Sequence, residues 1–235
     1  MLGFGIGTAK PSGFAWLPPL DPSALVEQPI KAVIAAVKQV HALSSAGRFE
    51  EALAVLDRPL KGGTVTALAT GDLKRAVFGL RGVALNHVGR FGEAAEVLKQ
   101  AIEMGASAET AEVDEYGLRG VLGFTLIQLD RFDEAAEAFT RAIEAAWVPP
   151  TAGRLALENP ARALSVVYLA RGFALGFLGR FDEAIEDCTR AIEIDPTRED
   201  AEAHETLARA LLGRGRHHEA LEACDRAVVS DPRRA

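Results

Sequence analysis

The sequence lacks any apolar run near the roughly 18 residues that a membrane-spanning helix needs. Residues 1–23 carry apolar side chains, but Gly and Pro interrupt them, and this stretch has one Lys and no Arg. A secretory signal and a mitochondrial presequence both need basic residues, so neither is expected. These absences predict a cytoplasmic protein that does not associate with a membrane.

Basic residues are too few for a general nucleic-acid-binding surface. Lys and Arg number 26 against 33 Asp and Glu, which gives a net charge of −7. Displacing counterions from a nucleic-acid backbone needs a basic surface. The charge balance therefore argues against a nucleic-acid partner, although it stays compatible with a local basic patch.

Motifs for catalysis are missing as well. The chain has no Gly-rich phosphate loop followed by Lys-Ser/Thr, no nucleophile elbow and no His-Glu-x-x-His. Carboxylate pairs such as Asp182-Glu183 recur at predicted helix starts, where negative charge complements the helix dipole. The sequence thus predicts a protein that is not an enzyme and holds no cofactor.

What the chain has in abundance is one repeated phrase. GRFDEAIEDCTRAIEIDP, which starts at Gly179, has counterparts that start at Gly47, Gly89, Asp130 and Gly215. The intervals of 42, 41, 49 and 36 residues equal 34 plus 8, 7, 15 and 2. A fixed unit joined by loops of varying length is typical of a stacked repeat array.

Each unit shows two helical patterns. The stretch before each phrase predicts a first helix, and seven residues before the phrase it carries Gly82, Gly123, Gly172 or Ala208. Because Gly weakens a helix by about 0.5–1 kcal/mol relative to Ala, its recurrence indicates a close helix crossing. The phrase predicts a second helix, and the Phe two residues into it is expected to fill the gap beside the crossing. In the fourth copy the apolar stripe of that helix is Ala184, Ile185, Cys188, Ala191 and Ile192.

These features resemble the tetratricopeptide repeat, whose 34-residue signature has L-G-x-x-Y, then A-x-x-x-F, then Pro. The matching residues of the fourth unit are Gly172, Leu175, Ala184, Cys188, Ala191 and Pro196. The resemblance implies an all-α fold, a right-handed α-solenoid of antiparallel helix pairs. After a tail at 1–32 that includes the start of the first helix, the array covers 33–235 in five units at about 33–66, 75–108, 116–149, 165–198 and 201–234.

Some local features depart from the repeat. Pro59 is expected to end the second helix of the first unit near Arg58. An insertion precedes the fourth unit, whose first helix is expected to begin at Pro160 with Asn159 as its N-cap. The Gly and Pro content of residues 1–28 is expected to keep that segment out of a helix. Its apolar side chains either form part of a flexible tail or dock in a groove of the array.

The resemblance also implies a concave surface lined by the first helices, here termed the groove face, that binds a peptide segment or a protein partner. Ordinary packing between repeats is the alternative for any one residue assigned to it. Arg81 and Arg171 either pair with acids of a neighbouring helix or point into the groove, and the sequence does not choose between these. The residues assigned to the groove face are Leu80, Val83, Asn86, His87, Val121, Phe124, Gln128, Leu169, Phe173 and Phe177.

Self-association is the alternative function. The phrase of the fifth unit predicts a helix with an apolar stripe of Leu221, Cys224 and Val228, and no capping helix is predicted after it. Such a stripe would mediate end-to-end contact in a homo-oligomer. Cys188 and Cys224 lie one repeat step apart, too far for a disulfide, and both are expected to be small buried residues.

A third reading places an enzyme or metal site at the histidine-rich last unit. His217, His218 and Glu219 are adjacent, and His204 and Cys224 could approach them. Position in the repeat gives the simpler account, since His217 takes the place of Phe and Glu219 has Glu counterparts in the other copies. A zinc site needs a complete ligand set, so no metal is predicted.

Overall fold

The computed structural model describes residues 22–61, 71–105, 111–146, 160–195 and 201–230, which are helical apart from short turns. Five antiparallel pairs form, and the second helix of each pair packs against the first helix of the next. The described part of the chain is therefore an all-α solenoid, as predicted. Its helices are α1 Pro22–Ser45, α2 Phe49–Lys61, α3 Gly71–His87, α4 Phe91–Glu103, α5 Ala111–Ile127, α6 Phe132–Ala146, α7 Pro160–Phe177, α8 Phe181–Ile194, α9 Ala201–Arg214 and α10 His217–Ser230.

The start of each phrase is the turn that ends the first helix. Gly89 has φ of 76°, in the left-handed region that favours glycine. The N–H of Gly89 donates to the carbonyl of Asn86, and the N–H of Arg90 donates to that of Leu85 at 2.9 Å. This is a Schellman motif, and the same bonds occur in all five copies. The other left-handed residues are Gly47, Asp130, Gly179 and Gly215.

An ion pair explains why Arg and Glu recur in the phrase. In each copy the Arg that follows the turn donates to the Glu three residues later, with N–O distances of 2.5–2.6 Å. The hydrogen bond from Arg90 is the main reason that the pKa of Glu93 is lowered. The acidic first turn therefore has a specific partner besides the helix dipole. The pairs are Arg48–Glu51, Arg90–Glu93, Arg131–Glu134, Arg180–Glu183 and Arg216–Glu219.

Close helix crossing at the recurring glycines is confirmed. A Cβ at Gly82 would lie 2.5 Å from the side chain of Leu98, and one at Gly123 would lie 2.6 Å from the ring of Phe139. At Gly172 it would lie 3.0 Å from the Sγ of Cys188. The prediction that the Phe two positions into the phrase fills the gap beside the crossing was wrong. The residue nine positions into the phrase packs against the glycine instead, because it projects from the second helix directly at it.

Two predicted boundaries were wrong and one is confirmed. Helix α1 begins at Pro22, so residues 22–28 are helical, and proline is tolerated in a first turn because its missing N–H is not needed there. Helix α2 runs past Pro59 to Lys61, since a proline near the helix end removes only one hydrogen bond. Helix α7 begins at Pro160 as predicted. The predicted docking of the tail concerns residues 1–21, which lie outside the described residues.

The crossing can be tested with two glycines of α5. Gly123→Ala is expected to lower the free energy of unfolding by about 1–3 kcal/mol, because the methyl group overlaps a fully buried ring. Gly117→Ala, on the same helix, meets nothing within 4 Å and is expected to raise it by about 0.5–1 kcal/mol. Urea unfolding followed by circular dichroism measures both. Equal effects of the two substitutions would contradict the packing role of Gly123.

Candidate binding groove

Six of the predicted groove residues line one cavity. This cavity, termed the α3–α5 cavity, has a volume of about 390 Å³ and opens between two neighbouring first helices. Its walls combine apolar side chains with two amides and one imidazole. Phe91 of α4 also lines it and was not predicted as a site residue. The predicted residues brought together here are Val83, Asn86, His87, Val121, Phe124 and Gln128.

Asn86 presents a buried acceptor at this cavity. Its Nδ2 donates to the Oγ1 of Thr125 at 2.7 Å, and that hydroxyl donates to the carbonyl of Val121 at 2.7 Å. Since the hydroxyl proton is used on Val121, the amide must present Nδ2 to Thr125. The Oδ1 of Asn86 is buried and has no hydrogen-bond partner among the described residues.

A second cavity lies between α7 and α9. This α7–α9 cavity has a volume of about 200 Å³ and contains Phe173 and Phe177, both predicted groove residues. The guanidinium of Arg209 lies over the ring of Phe173 at 5.3 Å from its centre. Arg209 and Phe181 also line this cavity, and neither was predicted as a site residue. The full lining is Gly172, Phe173, Gly176, Phe177, Phe181, Thr206, Arg209 and Ala210.

Two predicted groove residues lie elsewhere. Leu80 is partly buried and packs against a core cluster that includes Val40 and Leu56. Leu169 is 6% exposed and packs with Cys188 and Ala203, so its assignment to an open surface was wrong. It occupies the repeat position of two buried glycines, Gly79 and Gly120, and that position faces the interior.

The two arginines whose direction the sequence left open form ion pairs with neighbouring second helices. Arg81 donates to Asp57 at 3.2 Å. Arg171 binds both oxygens of Asp187 at 2.7 Å and also donates to Thr140. Burial raises the pKa of Asp187, although the hydrogen bond from Arg171 opposes that shift. Both side chains therefore join helices.

A larger cavity of about 960 Å³ lies between the second helices α6 and α8. Charged side chains make up most of its lining, and each of its arginines pairs with a carboxylate. These internal pairs leave it poorly suited to a ligand with apolar anchors. Its arginines are Arg141, Arg171, Arg180 and Arg190.

The last unit keeps the pattern of the others at Glu219, which accepts from Arg216 at 2.5 Å. His217 is exposed, and the Nδ1 of His218 lies 3.3 Å from Glu222. Cys188 is buried, and burial raises the pKa of its thiol to about 12. The prediction that Cys224 is buried was wrong, because no described helix covers its side of α10.

The tetratricopeptide repeat family profile matches residues 37–109, 122–199 and 169–235. The chain belongs to the tetratricopeptide repeat family. Among solved structures it is similar to MamA from AMB-1, with 24% identity over 85% of this chain and 99% of that chain and a TM-score of 0.62. It is also similar to YrrB, described as a TPR protein with an unusual peptide-binding site, with 20% identity over 89% of this chain and 92% of that chain and a TM-score of 0.65.

These likenesses confirm the predicted right-handed α-solenoid. No curated protein matches the chain. Within the described residues, no helix combines the length and the apolar character needed to cross a membrane.

Because the Oδ1 of Asn86 is a buried unpaired acceptor, an apolar side chain at this position is not expected to destabilise the fold. Asn86→Leu is expected to keep the free energy of unfolding or raise it by about 1 kcal/mol, because the cost of a buried unpaired acceptor, about 1–3 kcal/mol, exceeds the lost hydrogen bond. Thr125→Val, which leaves Nδ2 without its acceptor, is expected to lower it by about 1–3 kcal/mol. Chemical denaturation compares the two. Equal losses would mean that Oδ1 is satisfied in the folded protein.

Proposed function

We propose that the protein is a non-catalytic interaction scaffold that binds a peptide segment or a partner protein along its groove face. The observation that carries the proposal is the α3–α5 cavity, which gathers six side chains assigned to the groove face. Peptide sites of this size are lined by apolar groups with a few polar groups that fix orientation. The lining here has that composition.

The chemistry of the cavity favours binding over catalysis. Val83, Val121 and Phe124 supply apolar walls, and the exposed amide of Gln128 matches the donors and acceptors of a peptide backbone. The structural similarity to YrrB, which is described as having a peptide-binding site, supports the same reading. A cytoplasmic location belongs to this proposal, and the free thiols of the chain are in keeping with a reducing compartment.

Substitution of an exposed cavity residue tests the proposal without removing core contacts. Gln128→Arg places a long charged side chain in the α3–α5 cavity and is expected to reduce partner recovery about tenfold or more. Gln100→Arg makes the same change at an exposed position of α4 outside this cavity and is expected to retain the partner. Affinity capture with quantitative mass spectrometry compares both with the unmodified chain. Equal recovery of the partner with both variants would contradict binding at the groove face.

Self-association is a second candidate, favoured by an exposed stripe on α10. Leu221 is 67% exposed and Val228 is 42% exposed. Cys224 lies between them and is also exposed, whereas its counterparts Phe139 and Cys188 in earlier units are fully buried. We propose that a second copy of the chain covers this exposed apolar stripe.

Light scattering across a dilution series tests this candidate. Leu221→Glu is expected to hold the protein as a monomer at concentrations where the unmodified chain associates, because a carboxylate would be desolvated in the contact. Leu212→Glu, at an exposed residue of α9, is the matched control and is expected to leave association unchanged. A monomer mass at every concentration for the unmodified chain would refute self-association.

A further inference from the structure

Neighbouring repeats meet at one recurring pair of positions. The residue two positions into the phrase of one repeat faces the residue two positions before the phrase of the next, at the end of the following first helix. We term each such contact a junction. The four junctions are Phe49 with His87, Phe91 with Gln128, Phe132 with Phe177, and Phe181 with Gly213.

Two junctions are filled by stacked rings. Phe49 and His87 lie 3.9 Å apart between ring centres, with an angle of 7° between the planes. Phe132 and Phe177 lie 4.5 Å apart at 11°. Each stack joins the start of one second helix to the end of the next first helix, so these are the closed junctions.

The other two junctions have no second ring. Gln128 and Phe91 line the same cavity, and Gly213 faces Phe181 so closely that a Cβ would lie 2.3 Å from the ring. Phe91 of the first of these junctions lines the α3–α5 cavity, and Phe181 of the second lines the α7–α9 cavity. Each junction without a second ring therefore contributes a phenylalanine to a cavity.

The two cavities are equivalent sites with different linings. Val83 and Phe173 hold the same position in their repeats, as do His87 and Phe177. Equivalent positions two repeats apart are separated by two steps between first helices. With packed helix axes about 8–10 Å apart, two steps span about 16–20 Å. An extended chain covers this distance in about five or six residues at about 3.3 Å each.

We infer that the ligand is an extended peptide segment with two apolar anchor side chains about five or six residues apart, one in each cavity. This inference rests on the proposed function. The stacked Phe132 and Phe177, at the edge of the α7–α9 cavity that Phe177 lines, form a flat apolar support for the intervening residues. Phe177 is 57% exposed, as such a support requires.

The two anchors have different chemistry. The α3–α5 cavity is the roomier one, and the exposed amide of Gln128 hydrogen-bonds to the backbone beside its anchor. The α7–α9 cavity is narrower and bounded by Phe173, Phe177 and Phe181, which suits an aliphatic side chain. Arg209 is exposed at its edge, so a carboxylate next to the second anchor forms an ion pair there. The ligand class is a mildly acidic, two-anchor peptide.

A series of synthetic peptides tests the spacing. Each fluorescein-labelled probe has two Leu anchors, each next to an Asp, joined by Gly-Ser linkers that set the anchors about three to nine residues apart. Fluorescence anisotropy with the full chain is expected to give the tightest binding near five or six residues, at least about tenfold tighter than a one-Leu probe. Too short a linker cannot reach both cavities, and a longer one lowers the effective concentration.

Gln128→Phe distinguishes binding at two cavities from nonspecific hydrophobic binding of the probes. A ring at this position reproduces the closed junction of Phe132 and Phe177, and the residue is exposed, so the fold is retained. The substitution is expected to remove the spacing optimum and to reduce the best probe to the affinity of the one-Leu probe. Gln100→Phe, exposed on α4, is the control and is expected to keep the optimum.

The outcomes distinguish this inference from the function on which it rests. Probes that bind with no spacing optimum, or an optimum that survives Gln128→Phe, would overturn the two-anchor inference and leave peptide binding in place. Failure of every probe to bind would also overturn it, and the groove function would then be decided by capture with Gln128→Arg. An optimum near five or six residues that Gln128→Phe abolishes supports it.

Discussion

The close crossing of the two helices within each repeat sets the geometry of the whole array. Where Gly123 faces Phe139, a buried ring lies against bare helix backbone, and any side chain at the glycine would overlap it. Gly82 and Gly172 repeat the arrangement with smaller partners. Because protein interiors transmit strain rather than absorb it, the crossing fixes the angle of each pair. The next first helix then packs against the second helix at a set position.

The repeated phrase combines several physical roles in a few residues. Its first residue adopts the left-handed turn that ends one helix, and the following Arg pairs with the Glu that opens the next. The residue nine positions into the phrase packs against the crossing glycine of the first helix. The Phe two positions into the phrase lies at the junction with the next repeat. Local capping and packing between repeats therefore agree, which is the consistency expected of a well-specified fold.

Variation at one position distinguishes the junctions. The ring of Phe177 stacks on Phe132, whereas Gln128 leaves a cavity in the equivalent place. The phenylalanine of the phrase is the same at both junctions, so a cavity arises where one ring is omitted. Arrays of this kind present an extended surface whose local pockets are set by few side chains.

The sequence alone determined the number of helix pairs, the crossing glycines and most of the α3–α5 cavity. It could do so because a helical period fixes the direction in which each side chain leaves its own helix. Only the tertiary structure decided what each side chain meets. It buried Leu169, exposed Cys224, paired Arg171 with Asp187 and left the Oδ1 of Asn86 without a partner. Those outcomes depend on the distance and rotation between helices, which period alone does not specify.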